Sequence, residues 1–117
     1  MVPDPGALKR GIELFNRREF YESHEVLEDV WRPAAGSDRL FLQALIHFAV
    51  SFYHHENGNA VGAQRQMRKG LRKLAGYLPE FQGVDTLSLL REGQACLDLM
   101  RNSGSQLPAP KIRCRDC

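Results

Sequence analysis

The sequence lacks several features that would each assign the chain to a particular class of protein. No apolar run approaches the ~18 residues that a membrane-spanning helix needs. The first five residues lack the basic start and the apolar core of a signal peptide. Three cysteines, two of them within the last four residues, do not form the spaced set of a disulfide scaffold. These absences predict a cytoplasmic protein in a reducing compartment, with no membrane partner.

The net charge is also small. The 117 residues carry a formal net charge of +2, which does not by itself indicate a nucleic acid or a membrane surface as partner. Basic side chains do gather on one side of the fourth helical segment: Arg65, Arg68, Lys69, Arg72 and Lys73. No aromatic side chain is interleaved among them for base stacking. We therefore interpret them as a solvated helix face, and the sequence argues against a nucleic acid partner.

Familiar catalytic motifs are missing as well. We find no motif for a nucleotide or a phosphate, and none for a serine or cysteine nucleophile. The Cys-x-x-Cys formed by Cys114 and Cys117 lacks the second pair or the βαβ context that a zinc site or a redox site needs. No reaction can therefore be assigned from motifs.

Strand patterns are absent too, and helical periodicity accounts for most of the chain. Apolar residues recur at helical spacing in five segments, with predicted starts after Asp4, at Phe20, at Arg39, at Ala60 and at Asp85 or Thr86. Residues 36–38 are expected to form a loop that ends in the cap of the third helix. From residue 104 onward, prolines and polar side chains leave no face to bury. We predict an all-α fold, a compact array of about five helices forming a single domain over residues 1–103, and a disordered tail over residues 104–117.

The second helix carries both bulky apolar anchors and candidate reactive groups. Wound at about 100° per residue, one face combines three apolar side chains with an imidazole: Phe20, Leu27, Trp31 and His24. Glu28 lies at the edge of this face, one turn after His24. We expect the face to be buried, with Trp31 in the core beside Phe20 and Leu27.

The third helix, from residue 39 to residue 56, is apolar nearly all the way round, which predicts a central position among the other helices. A single polar stripe, within about 80° on the helical wheel, interrupts it. The stripe consists of Gln43, His47, Ser51 and His54. A short loop near Gly36 joins the second and third helices, so residues at equal distance from it should lie side by side. His24 then falls level with His47, and Glu28 with Gln43.

If the polar stripe faces the His24 edge of the second helix, one pocket is lined by His24, Glu28, Gln43 and His47, with Ser51 and His54 as further candidates. His24, Glu28 and His47 could hold a divalent metal ion with an open coordination position, or could pair a general base with its orienting partner. The spacing is neither that of the His-Glu-x-x-His zinc helix nor that of a di-iron bundle.

The alternative is a packing network. His24 would then bond Glu28 or a main-chain carbonyl, and His47 would bond Ser51 or Gln43. We favour the network, because nothing in the chain supplies an unmistakable third or fourth metal ligand, and so no divalent metal is expected.

Four segments, including a His-Glu-x-x-Glu-x-x-Trp helix, resemble a small all-helical bacterial family known as domain of unknown function 309. They are residues 14–16, 20–32, 42–46 and 58–63, and the likeness runs from about residue 12 to residue 78. The resemblance implies a compact array of helix hairpins, loosely similar to those of tetratricopeptide proteins, and implies no established activity.

Two hypotheses about function remain. The first is a non-enzymatic helical module that binds a protein or a small ligand through a groove between its helices. The second is a small metal-dependent enzyme of the hydrolytic kind that uses His24, Glu28 and His47.

Overall fold

Helices make up the fold. The computed structural model describes residues 4–102, 107–108 and 110–114. Within these residues the chain forms α1 (Pro5–Asn16), α2 (Phe20–Trp31), α3 (Gly36–Glu56), α4 (Ala60–Leu74), a short 3-10 helix (Ala75–Tyr77) and α5 (Thr86–Asn102). The same residues contain no strand, only isolated bridges that Val84 makes with Phe81 and with Cys114. The predicted all-α fold of about five helices is confirmed.

Most helices begin where the sequence predicted. The carboxylate of Asp4 accepts a hydrogen bond from the N–H of Ala7 at the start of α1, at 3.1 Å. The side chain of Asn59 accepts one from the N–H of Gly62 at the start of α4, at 2.9 Å. Asp85 does the same for the first turn of α5. Each cap supplies a partner for an N–H that the helix itself leaves unpaired.

The start of α3 differs from the prediction. The helix begins at Gly36, whose φ of +61° suits a residue without a side chain, and Ala35 precedes it. Asp38 lies inside the first turn rather than capping it, and its carboxylate accepts a hydrogen bond from Gln82 at 2.8 Å. The expected loop over residues 36–38 is therefore wrong, because a glycine with positive φ makes the turn sharply enough for the helix to start at once.

Consecutive helices are neighbours in space: α1 packs on α2, α2 on α3, α3 on α4, and α4 on α5. The centre of the core comes from α3, which contributes five apolar side chains that are at most 1% exposed: Phe41, Leu42, Leu45, Phe48 and Phe52. Two of its neighbours approach it closely at glycines. A Cβ added at Gly70 of α4 or at Gly93 of α5 would lie 2.8 Å from the Phe48 ring.

The C-terminal segment is packed where the structure describes it. Leu107 and Ile112 are each 2% exposed. The amide of Asn16 pairs with the main chain of Ile112, donating to its carbonyl at 3.0 Å and accepting from its N–H at 2.8 Å. Residues 103–106, 109 and 115–117 lie outside the described residues. The expectation that this segment buries no face is wrong for Leu107 and Ile112, because an irregular chain can bury single side chains without any periodicity. The domain boundary near residue 103 stays a prediction.

Two cysteines lie in the part of the chain that the structure describes. Cys114 is disulfide-bonded, whereas Cys96 is a free, buried thiol that donates to the carbonyl of Pro108 at 3.1 Å. Burial raises the pKa of Cys96 to about 11, so this thiol stays protonated and unreactive at neutral pH. Among the described residues no helix combines the length and the apolar character that crossing a bilayer demands.

Candidate functional site

A cavity of about 260 Å³ lies where α2, α3 and α4 meet. We call it the cleft. It is lined by His24, Glu28 and Trp31 of α2, by Gln43, Ile46, His47 and Val50 of α3, and by Gln66 of α4. The structure therefore brings together four of the six residues that the sequence analysis selected.

The other two candidates lie elsewhere. Ser51 is fully buried and donates a hydrogen bond to the carbonyl of Ala63 at 2.6 Å, so it joins α3 to α4 and does not line the cleft. His54 borders an adjacent cavity of about 210 Å³. This second cavity, the tyrosine pocket, is lined by Tyr21, His24, Val50, Tyr53 and His54. The polar stripe is divided because α4 packs over the side of α3 that carries Ser51.

Trp31 lies at the edge of the core and not inside it. The buried side of α2 is centred on Leu27 and Val30, at 0% and 2% exposure, while Trp31 is only partly buried. One face of its ring carries the guanidinium of Arg39, whose carbon lies 4.0 Å from the ring centroid. Arg39 also donates to the carbonyl of Trp31 at 3.1 Å. Trp31 packs against the core, as predicted, but is not buried inside it beside Phe20 and Leu27: Arg39 covers one face of the indole, which lines the cleft.

His47 has two ring nitrogens in contrasting surroundings. Its Nδ1 lies 2.7 Å from Oε1 of Gln66. An amide oxygen only accepts hydrogen bonds, so Nδ1 carries the proton and Nε2 of the neutral ring has a free lone pair. Burial lowers the pKa of His47, and the charges of Lys73 and Lys69 lower it further, against the hydrogen bond to Gln66, which raises it. The imidazole is therefore neutral at pH 7.

Two nitrogens of the cleft are buried without a hydrogen-bond partner among the described residues. They are Nε2 of His47, which accepts, and Nε1 of Trp31, which donates. A buried polar group without a partner costs about 1–3 kcal/mol, and native structures leave few of them. The cleft thus contains one unpaired acceptor and one unpaired donor.

His24 and Glu28 form the remaining polar pair. Nε2 of His24 lies 3.2 Å from a carboxylate oxygen of Glu28, and Arg32 lies 3.9 Å from the same oxygen. The first contact is one that the packing-network alternative expected. His47, in contrast, bonds Gln66 rather than Ser51 or Gln43. Sequence reasoning missed Gln66 because it divided α4 into an apolar and a basic side, and Gln66 lies at their boundary, next to the buried Met67.

The metal hypothesis gains no direct support from this geometry. The described part of the chain contains no group of three or more His, Cys, Asp or Glu side chains placed to hold a metal ion. His24 and Glu28 contact each other across one helical turn, and His47 reaches toward α4. Metal binding by His24, Glu28 and His47 stays a prediction.

Comparison with known proteins identifies the family. Residues 8–66 match the profile of the family described as Domain of unknown function (DUF309). The chain belongs to this family. The matched region contains every residue that lines the cleft, from His24 to Gln66.

Two relatives in this comparison are themselves uncharacterised. The chain is 31% identical to the uncharacterized protein YpuF of Bacillus subtilis (strain 168) over 97 residues, which cover 82% of this chain and 53% of the relative. It is 25% identical to an uncharacterized protein of Aquifex aeolicus (strain VF5) over 79 residues, which cover 67% of this chain and 24% of the relative. The chain thus spans about half of the first relative and a quarter of the second, and neither name assigns a function to the DUF309 domain.

Proposed function

We propose that this DUF309 domain is a non-enzymatic binding module whose cleft holds a short, extended peptide segment of a partner protein. One observation carries the proposal: Nε1 of Trp31 and Nε2 of His47 are a buried donor and a buried acceptor, each without a partner among the described residues. A peptide main chain presents the complementary pair, a carbonyl oxygen and an N–H. A peptide main chain therefore offers a chemically matching partner for each nitrogen.

The length of the groove favours a peptide over a small amide. His24 and Val50 line both the cleft and the tyrosine pocket, so the two cavities adjoin and form one groove. Along α3 this groove runs from Gln43 to His54, about 16 Å at a helical rise of about 1.5 Å per residue. An extended chain covers that distance with about five residues, at about 3.3 Å each.

The side chains along the groove suit peptide recognition. Trp31, Tyr21 and Tyr53 offer ring surface with polar edges, the combination that is enriched where proteins bind one another. Both unpaired nitrogens are covered by their neighbours, so a lining side chain has to move before a peptide reaches them. Glu28 is a lining side chain that can move easily, because it is 34% exposed and its ion pairs are with His24 and the exposed Arg32.

The single tryptophan of the chain makes the proposal directly testable. Its indole N–H signal in a ¹H–¹⁵N NMR spectrum reports on the cleft alone, and we expect it to shift when the protein is titrated with members of a library of capped pentapeptides. For a peptide that binds, Trp31→Phe keeps an aromatic wall but removes the donor. The affinity of the protein for this peptide, measured by the fluorescence anisotropy of a labelled copy, should fall about fivefold or more. This corresponds to the loss of about one hydrogen bond.

A matched pair of glutamines controls for effects outside the cleft. Gln43→Ala changes a lining residue and should weaken the same peptide, whereas Gln94→Ala changes an exposed residue of α5 and should not. An indole signal that no peptide moves would contradict the proposal. So would peptide binding that survives both Trp31→Phe and His47→Leu unchanged.

A further inference from the structure

The tyrosine pocket, at the far end of the groove from Trp31, is walled by aromatic rings. The ring centroids of Tyr21 and Tyr53 lie 5.4 Å apart, those of Tyr21 and His24 5.8 Å, and those of Tyr53 and His54 6.1 Å. Neighbouring rings are tilted by 47° to 52° and do not stack flat against each other. Tyr21 and Tyr53 are 46% and 37% exposed, so ring surface remains open to a ligand.

On α2 the pocket is lined by Tyr21 and His24, and two carboxylates lie beside Tyr21 outside the lining. Glu22 follows Tyr21 directly, and Glu25 lies one turn after Tyr21 on the same side of the helix. Both are exposed and have no ion-pair partner within the part of the chain that the structure describes. Arg32, which follows the last residue of α2, forms an ion pair with Asp29 at 2.5 Å.

The α3 side of the pocket adds no lysine or arginine. On α3 the lining residues are Val50, Tyr53 and His54. Arg18, in the loop before α2, is paired with Glu56 in the last turn of α3 at 3.7 Å. Among the lining residues the basic side chains are the imidazoles of His24 and His54. The pocket therefore combines aromatic faces with uncompensated negative charge on the neighbouring surface of α2.

We propose that the tyrosine pocket binds an organic cation of the alkylated ammonium class. A cation is attracted to the face of a tyrosine ring by the ring quadrupole, and quaternary ammonium groups are bound in this way by aromatic cages. The nearby carboxylates of Glu22 and Glu25 add to the attraction. The volume of about 210 Å³ equals that of about seven water molecules at about 30 Å³ each, which is enough for a trimethylammonium group. The cation could be a side chain of the bound peptide, and that extension rests on the proposed function. The cation site itself does not depend on peptide binding.

Choline and its uncharged carbon isostere, 3,3-dimethylbutanol, separate attraction to charge from simple filling of an apolar pocket. The two compounds are titrated against the full chain at about pH 8, above the ordinary titration range of histidine. Binding is followed through the NMR signals of the tyrosine rings. We expect choline to shift the signals of Tyr21 and Tyr53 and to bind at least about threefold more tightly than the isostere.

Variants assign the effect to its source. Tyr53→Leu keeps apolar bulk but removes a ring and should abolish the preference for choline. Glu25→Gln should weaken choline binding, whereas Glu13→Gln, which neutralises an exposed carboxylate of α1, should leave it unchanged.

Equal affinity for the two compounds would overturn the proposal and leave an apolar pocket. Absence of any shift at Tyr21 and Tyr53 would overturn it as well. Neither result bears on peptide binding in the cleft, because the indole signal of Trp31 reports on that separately.

Discussion

His47 illustrates how one side chain can be held in a single state by its surroundings. The hydrogen bond from Nδ1 to Gln66 fixes the tautomer, and burial keeps the ring neutral. The lone pair of Nε2 is thereby kept available for a donor in the cleft. Protonation would remove this acceptor, so binding and stability should both depend on the same imidazole.

The lowered pKa of His47 predicts a loss of stability in acid. The folded state binds a proton less readily than the unfolded state, whose histidine titrates near 6.5. The full stability is therefore present above pH 6.5 and decreases as the pH falls below it, until the folded pKa has also been passed. His47→Gln removes this contribution, so its free energy of unfolding in urea should change less than that of the wild type between about pH 7.5 and about pH 5.

His55→Gln is the matched control, because it removes an imidazole from the last turn of the same helix without touching the cleft. If wild type and His47→Gln lose stability in parallel over this range, His47 is not held neutral as described.

Burial rather than size should decide how much stability is lost when a side chain of α2 is truncated to alanine. Leu27 is fully buried and lies against Gly11, whereas the larger Trp31 is partly exposed beneath Arg39. Leu27→Ala should cost about 2–5 kcal/mol, the range for buried leucines. Trp31→Ala should cost less than Leu27→Ala, as measured by urea unfolding. The opposite order would mean that the indole is part of the core after all.

At the scale of helices, glycines set how closely α4 and α5 approach α3. A Cβ at Gly70 would lie 2.8 Å from the Phe48 ring and 3.1 Å from Cβ of His47. Gly70 therefore positions α4, and with it Gln66, against the His47 side of the cleft. Replacing glycine by alanine normally stabilises a helix by about 1 kcal/mol. The clash at Gly70 has to cost more than this gain if the substitution is to destabilise the protein.

We predict that Gly70→Ala lowers the melting temperature and Gly76→Ala does not. The first substitution forces Phe48, which is fully buried, to move. The second adds a methyl group where no atom lies within 4 Å. Circular dichroism melts of the two variants test this, and an unchanged or higher melting temperature for Gly70→Ala would show that α4 can shift freely.

Sequence patterns were sufficient for most elements and for part of the cleft. Periodicity and caps such as Asp4 and Asn59 are local signals, and so is the short loop that makes α2 and α3 neighbours. The position of Trp31 could not be predicted, because it depends on Arg39 stacking across from another helix. Gln66 could not be predicted either, since its pairing with His47 depends on how α4 packs on α3.

At the scale of the whole molecule, the last described residues join α1 to α5. Ile112 pairs with Asn16 at the end of α1, and Arg113 contacts Glu92 of α5. The segment thus bridges α1 and α5, which are the first and last helices.

Ile112→Ala should therefore destabilise the protein by about 2–5 kcal/mol, the range for fully buried isoleucines. Lys111→Ala is the control: it removes one exposed hydrogen bond to the carbonyl of Asn16 and no buried apolar group, so it should cost less, as judged by urea unfolding. A loss below about 0.5 kcal/mol for Ile112→Ala, the usual size of a surface effect, would mean that the segment does not pack and that the domain ends before it.

The central claim is that the cleft accepts a peptide group between Trp31 and His47, and a crystal structure of the protein soaked with N-methylacetamide tests it most directly. This compound is a single peptide group without side chains. We predict one molecule in the cleft, with its carbonyl oxygen accepting from Nε1 of Trp31 and its N–H donating to Nε2 of His47. The claim is contradicted if both nitrogens are bonded to protein side chains, or if a water molecule bridges them and the amide does not displace it.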